Sequence, residues 1–202
     1  KGRGDEGLWL PEEGYFAVAL DGHKRPLDAL TSNPGHCLWA GIVSDEHAAQ
    51  LVRRFAESDM DSGYGLRTLS ERMGAYNPMS YHNGSVWPHD TAIVVAGVMR
   101  YGFVDEAQRV ARGLVDAAEG FAGRLPALFC GLDRTEFEQP VPYPTSCSPQ
   151  AWSSASPLLL LRSLLRLDPD LPQHRVRLAP HLLTGLAALH LANVPLRPGR
   201  AS

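Results

Sequence analysis

The chain has 202 residues, is 44% hydrophobic and carries a formal net charge of −3 at pH 7. This length and apolar content are enough for one or two packed domains. The sequence has no basic run and no apolar stretch of about 18 residues, which argues against nucleic acid and membrane partners. Its three cysteines lack metal-site spacing, so we expect reduced thiols and a cytoplasmic location. We also expect that the protein uses no metal and no organic cofactor.

The first half of the chain predicts short strands followed by paired helices. Residues 15–20 are strand-like and precede the turn signal Asp21-Gly22. Ser44 and the acids after it predict a helix start, and one apolar face extends to about residue 57. Residues 91–101 are almost wholly apolar and predict a buried helix, whereas residues 103–119 predict an amphipathic one.

Residues 76–90, which read YNPMSYHNGSVWPHD, fit neither the helix period nor the strand period. We therefore expect a loop, rich in polar and aromatic side chains and joined directly to the buried helix that follows. A polar loop held by a rigid element is a common way to build a binding site.

The second half begins with a long irregular segment, residues 124–149, of a length that usually serves a function. Ser148 is predicted to cap the next helix, with Pro149 at its first position and its end near residue 167. From residue 174 onward, the alternating patterns V-R-L (residues 176–178) and L-H-L-A-N-V (residues 189–194) predict short strands. We expect residues 8–172 to form one domain and residues 173–202 to begin a trailing β-rich unit.

A repeat underlies these elements, because three polar loops each end in a proline that enters an apolar helix, at Pro34, Pro88 and Pro149. The first two apolar helices are each followed by an amphipathic one, which predicts stacked helical hairpins. In a closed ring of such hairpins the three loops meet at one mouth. Five helices cannot close the ring, so we expect a fragment of a larger domain.

Aromatic and polar side chains at this mouth are the candidates for chemistry. Trp87 and Trp152 lie at loop-to-helix junctions, where flat rings suit sugars but also plug the end of a core. Asn83, His89 and Asp90 suit hydrogen bonding to a polar ligand, although Asp90 also fits the free N–H groups of a helix start. Acid–base catalysis requires carboxylates here, and the candidates are Asp90, Asp133, Glu136 and Glu138.

Three blocks resemble bacterial amylo-α-1,6-glucosidases, the glycogen-debranching type of glycoside hydrolase. They are residues 31–43 (TSNPGHCLWAGIV), residues 76–90 and residues 140–152 (PVPYPTSCSPQAW), with support from EEGYFAVALDG at residues 12–22. The resemblance implies an all-α, (α/α)6 toroid of helical hairpins, of which this chain is the C-terminal portion. It implies an α-glucan or oligosaccharide substrate, and as partner the N-terminal part of the same catalytic domain.

The resemblance also implies an inverting glycosidase with a general acid and a general base. The acid would lie in a W-K-D-S-type motif that these 202 residues lack, and the base would be the glutamate of L-P-E-L-F-C-G. This chain reads RLPALFCG, which puts Ala127 at the base position. Losing a base costs about a hundred- to ten-thousand-fold in rate. Glu136 or Glu138 is the alternative base, but the general acid is missing in either case, so we expect this chain alone to be inactive.

The remaining implied site residues would face the ligand. In our assignment of individual roles to these positions, Trp87 would shape or stack on the terminal glucose subsite, and Asp90 would hold the loop or a hydroxyl. Those implied to bind hydroxyl groups or the ring are His82, Asn83, His89, Gln150 and Trp152. Two alternatives remain open: a non-catalytic carbohydrate-binding protein that has lost its base, and a helical-hairpin scaffold for protein partners.

Overall fold

The structure, a computed structural model, describes residues 7–196 and 199–201; residues 197, 198 and 202 of the expected trailing unit lie outside the described residues. The described residues form five helices: α1 Pro34–Ala40, α2 Asp45–Phe55, α3 Pro88–Arg100, α4 Val104–Gly120 and α5 Ala151–Leu165. Antiparallel two-stranded ribbons lie on either side of them in sequence: β1 Trp9–Leu10 with β2 Tyr15–Phe16, β3 Ala19–Leu20 with β4 Pro26–Leu27, β5 Asp168–Asp170 with β6 Arg175–Arg177, and β7 Val194–Leu196 with β8 Gly199–Ala201.

Helix α3 is the central element, and it packs against α1, α4 and α5. Its residues are buried around most of its circumference, as its apolar sequence predicts, whereas α2 and α4 each bury one apolar face. This confirms the predicted pair of a buried helix followed by an amphipathic one for α3 and α4. Helix α1 is only partly buried: Pro34, Gly35 and Leu38 are buried, whereas Trp39 is 50% exposed. Prolines at the start of α1 and α3 occupy the first turn, where the missing N–H leaves no hydrogen bond unmade.

Helices α1 and α3 approach so closely that glycine is required at their contact. A Cβ on Gly97 would lie 2.6 Å from the Trp39 backbone nitrogen, and one on Gly35 would lie 2.3 Å from a Val94 methyl. At the C-terminal end of the pair, the Arg100 guanidinium donates to the Trp39 carbonyl at 3.2 Å. These contacts fix the two helices side by side and therefore fix the loops at their N-terminal ends.

The long segment 124–149 is ordered by short bridges rather than by regular elements. Phe129 pairs with Val86 on one side and with Pro142 on the other, and Val86 pairs in turn with Arg67. The Arg67 side chain is 1% exposed and its guanidinium donates to the Gly131 carbonyl at 2.7 Å and to the Asp133 carboxylate at 3.3 Å. Three loops are thus held together directly beneath the start of α3.

Two predicted boundaries are wrong. Helix α5 begins at Ala151, not at Pro149, because Gln150 has extended backbone angles and its side chain accepts from the Ala151 N–H at 2.9 Å. The strand expected across residues 189–194 is confined to its end, where β7 begins at Val194. The segment between the last two ribbons instead runs along α4, whose Gln108 side chain donates to the carbonyls of His181 and Leu182.

Helix length also bears on membrane insertion. The longest helix in the described part of the chain is α4, which has 17 residues and carries charged side chains. No helix among the described residues combines the length and the apolar character that crossing a bilayer requires.

Candidate functional site

The N-terminal ends of α1 and α3 are joined by an ion pair between His36 and Asp90. His36 Nε2 lies 2.6 Å from Asp90 Oδ1, and the side chains are 44% and 11% exposed. Asp90 lies in the first turn of α3, where its charge also complements the helix dipole. The hydrogen bond to Asp90 raises the pKa of His36, and burial opposes this only in part.

Two polar atoms next to this pair are buried without a partner. Within the part of the chain that the structure describes, Asp90 Oδ2 and His89 Nδ1 have no hydrogen bond. Burial lowers the pKa of His89, so its imidazole favours the neutral form. Because unpaired buried polar groups cost free energy, these two atoms are suited to bonding water or a ligand that enters the mouth.

A cluster of rings forms the wall of the mouth between α3 and α5. The His89 and Trp152 rings stack, with centroids 4.5 Å apart and planes 14° from parallel. Trp152 remains 48% exposed, so nearly half of its surface faces solvent. This stack joins α3 to α5 as the His36–Asp90 pair joins α1 to α3, and all three loop-to-helix junctions meet at one mouth.

Trp87 lies behind this wall and is only 7% exposed. Its Nε1–H donates to the Tyr81 carbonyl at 3.1 Å and to Ser85 Oγ at 3.0 Å. The His82 ring lies parallel to it, with centroids 6.1 Å apart. Trp87 therefore supports the wall from within, and little of its ring is accessible to a ligand.

Ala127 is 3% exposed and packs in a small apolar cluster with Trp87 and Leu128, bordered by Tyr143. Its N–H donates to the Cys147 carbonyl at 2.9 Å, which fixes the backbone at this position. The structure thus brings Ala127 to the inner side of Trp87. In that cluster its methyl group supplies neither a proton acceptor nor a charge.

The other predicted residues occupy different surroundings. His82 and Asn83 are exposed on the loop before α3, and the Gln150 side-chain oxygen is occupied by the first N–H of α5. Asp133 accepts from Arg67 and from the Thr135 N–H and hydroxyl. Glu136 and Glu138 are exposed, and Glu138 lines a surface recess together with Asp116 of α4. Among the described residues, no group of three or more His, Cys, Asp or Glu side chains is placed to hold a metal ion.

Sequence reasoning misses His36 and Tyr143 as parts of the site. His36 lies in the first turn of α1, which begins at Pro34, and its side chain contacts Asp90. The sequence does contain a signal for this role. His36 lies three residues after Asn33 and two after Pro34, as Asp90 lies three residues after Trp87 and two after Pro88. Tyr143 comes from the irregular segment, and its ring lies 5.8 Å from Tyr81; no local pattern predicts that contact.

Comparison with known proteins shows which protein family this chain resembles. Residues 1–124 match the model of the mannosylglycerate hydrolase MGH1-like glycoside hydrolase domain. The chain belongs to this family. Mannosylglycerate hydrolases MGH1 and MGH2 of Selaginella moellendorffii are each 34% identical to it over 106 residues, which is 52% of this chain and 21% of each relative. The chain thus spans about a fifth of the length of these curated relatives.

Solved structures show the same fold. The GH63 mannosylglycerate hydrolase from Thermus thermophilus in complex with glucose matches with a TM-score of 0.63 and 22% identity, over 77% of this chain and 34% of that one. Neutral trehalase Nth1 from Saccharomyces cerevisiae matches with a TM-score of 0.56 and 20% identity, over 78% of this chain and 28% of that one. The helices therefore form part of the six-hairpin helical toroid of these glycosidases.

The expected resemblance is thereby confirmed at the level of a six-hairpin glycoside hydrolase. The family that matches is the mannosylglycerate hydrolase type and not the debranching type. The matched residues end at position 124, three residues before Ala127, so the base position is assigned by the sequence resemblance alone.

Proposed function

We propose that this chain is part of a glycoside hydrolase and that its mouth holds the sugar ring of a small glycoside. One arrangement carries this proposal: the exposed Trp152 ring stacked on His89, beside the unpaired Asp90 Oδ2 and His89 Nδ1 of the described residues. A sugar presents an apolar face of C–H groups to an aromatic ring and hydroxyl groups at its edge. The exposed Trp152 ring provides the matching apolar surface, and the two buried, unpaired atoms would pair with sugar hydroxyl groups on binding.

The substrate class we favour is a mannosylglycerate-like glycoside of low molecular mass. The two curated relatives are named mannosylglycerate hydrolases. The competing substrate, a branched α-glucan cleaved at α-1,6 bonds, is supported by the sequence blocks at residues 31–43, 76–90 and 140–152. A direct comparison of the two substrates separates these specificities.

For the chemistry, we propose an inverting mechanism in which position 127 is that of the general base and the general acid comes from outside these 202 residues. Such a base must take a proton from the attacking water. Ala127 cannot do so, and its burial against Trp87 and Leu128 favours a second candidate function, a carbohydrate-binding protein without turnover. In both candidates the mouth binds a glycoside, and they differ only in hydrolysis.

The test is Ala127→Glu in the full reading frame that encodes this chain, with Ala127→Gln as the matched control. Gln has nearly the same size as Glu but cannot act as a base. Both variants therefore add nearly the same side-chain volume to the apolar cluster around position 127. We expect sugar release from mannosylglycerate only with Glu, at least about a hundredfold above the control. Equal rates in both variants would reject position 127 as the base position, and release only from a branched limit dextrin would restore the debranching specificity.

The division of the chain after residue 172 also remains a proposal, as does a cytoplasmic location. Residues 175–177 form the exposed strand β6, and the segment after them lies on α4. Limited proteolysis tests the division: we expect the first cleavage between residues 167 and 175, with residues 8–172 surviving as a folded product.

A further inference from the structure

The far end of the helices, opposite the mouth, contains a groove of about 640 Å³. It lies between the C-terminal ends of α1, α3 and α5 and the β5–β6 ribbon. At 1.5 Å per residue, the length of α3 separates it from the mouth by roughly 18 Å. The groove is therefore distinct from the candidate glycoside site, and its volume is in the range of small-molecule sites.

Its charged groups are mostly of one sign. Four arginines, Arg100, Arg162, Arg166 and Arg177, line the groove, and one carboxylate, Asp168, faces them. The chain as a whole has a net charge of −3, so this excess of positive charge is local. Trp39, which is 50% exposed, forms part of the apolar wall.

Two of these arginines have structural partners. Arg100 donates to the Trp39 carbonyl at the end of α1, and Arg162 donates to the Leu167 carbonyl at 3.1 Å and lies 3.6 Å from Asp168. Arginines near helix C-termini commonly satisfy such carbonyls. Helix capping therefore accounts for Arg100 and Arg162.

The same explanation does not extend to Arg166 and Arg177. Across the described residues, neither guanidinium makes a hydrogen bond or ion pair, although both line the groove. Arg177 stands opposite Asp168 in the β5–β6 register, but the carboxylate forms its ion pair with Arg162. Two unpaired guanidiniums on one groove, with two more nearby, leave donor capacity that a multiply charged anion would fill.

We propose that this groove binds a phosphate-bearing small molecule, with Arg166 and Arg177 as its principal contacts. The guanidinium fork matches two phosphate oxygens at once. Trp39 and the alkyl parts of the wall accommodate the organic portion of the ligand. Carboxylates and sulfate esters share part of this chemistry, but a doubly charged phosphate best matches two guanidiniums on one groove.

The experiment is calorimetric titration of the full chain with inorganic pyrophosphate at low salt, repeated with Arg166→Gln and Arg177→Gln. Neither guanidinium is bonded to another described residue, so both variants should keep the melting temperature of the wild type. Arg53→Gln is the matched control, since Arg53 is exposed on α2 and its substitution removes the same charge away from the groove. We expect one saturable site, a loss of at least tenfold in affinity for each groove variant, and no loss for the control.

Several results would overturn the proposal. Absence of a saturable site rejects the groove as a phosphate site, and equal weakening in all three variants shows only non-specific attraction to charge. Competition distinguishes the ligand source: if a glutamate-rich peptide displaces pyrophosphate at lower concentration than a sugar phosphate does, the groove is a protein-docking surface instead. Displacement by the sugar phosphate at lower concentration supports the proposal.

Discussion

At the scale of single residues, the His36–Asp90 pair determines how the mouth responds to pH. Protonated His36 gives a charge-assisted bond to Asp90, which raises its pKa in the folded state above the ordinary value of 6.5. A raised histidine pKa stabilises the fold below the unfolded pKa, and this stabilisation disappears as pH rises through the folded pKa. His89 acts in the opposite direction, because burial lowers its pKa.

We predict that His36→Gln isolates the pH-dependent contribution of the His36–Asp90 pair to the free energy of unfolding. Gln keeps a donor for Asp90 but does not titrate, so the wild type should be more stable by about 1 kcal/mol near pH 5.5, a value reduced because His36 is partly exposed. The advantage should shrink steadily above pH 6.5. Urea unfolding between pH 5 and 9 measures it, with His23→Gln in an exposed turn as control; a constant difference across this range would contradict the assigned pair.

Substitutions of Trp87 and Trp152 should differ in how much they lower the free energy of unfolding. Trp87 is buried with its N–H bonded twice, so Trp87→Phe should lower the free energy of unfolding by about 2 kcal/mol. Trp152 is half exposed, so Trp152→Ala should cost less than about 1 kcal/mol. Thermal and urea unfolding of both variants provide the measurement, and equal losses would mean that Trp152 also belongs to the core.

At the scale of elements, the close contact of α1 with α3 is the feature that positions the mouth. The atoms nearest to Gly97 belong to the backbone of α1 and to Leu38, so no flexible side chain end can move aside. The free-energy gain of about 1 kcal/mol that alanine normally brings to a helix is therefore outweighed by overpacking.

We predict that Gly97→Ala destabilises the protein by about 2 kcal/mol and, by separating the helices, lengthens the His36–Asp90 distance. Ser154→Ala on the exposed side of α5 serves as control and should change stability by less than about 0.5 kcal/mol. Unfolding experiments give the first quantity, and the pH titration of the His36 ring by NMR gives the second. A Gly97→Ala protein more stable than the wild type would show that the helices are not in contact there.

The sequence predicts the elements better than the contacts among them. Apolar periodicity is local, so it locates α2, α3 and α4 to within a few residues, and Pro88 marks the start of α3 as predicted. Gln150 is not recognisable as a cap because Ser148 and Pro149 are the more usual pair at a helix start. The bridges from Arg67 through Val86 and Phe129 to Pro142 join distant segments, and no local pattern encodes them.

At the scale of the whole molecule, large apolar side chains are exposed on α1, directly after it and on α5. Ile42 follows α1 and is 66% exposed, Leu158 on α5 is 69% exposed and Trp39 is 50% exposed. Exposed apolar surface of this kind marks a contact site or promotes association.

We predict that the chain self-associates through this surface at micromolar concentration. The double variant Ile42→Glu/Leu158→Glu should sediment as a monomer, because two charges cannot be buried without partners. Leu20→Glu, a change at a leucine of β3 that is 42% exposed, is the control and should leave the association unchanged. Analytical ultracentrifugation decides, and a wild-type monomer with a cooperative melt would contradict the expectation.

The central claim is that the mouth at the N-terminal ends of α1, α3 and α5 binds a sugar ring. The most direct measurement is an NMR titration of the chain with mannosylglycerate, comparing the wild type with Trp152→Ala and with Trp39→Ala, an equally exposed tryptophan at the opposite end. We predict saturable binding that weakens about tenfold, or about 1.4 kcal/mol, in Trp152→Ala and is unchanged in Trp39→Ala. Absence of binding, or the same loss in both variants, would contradict the claim.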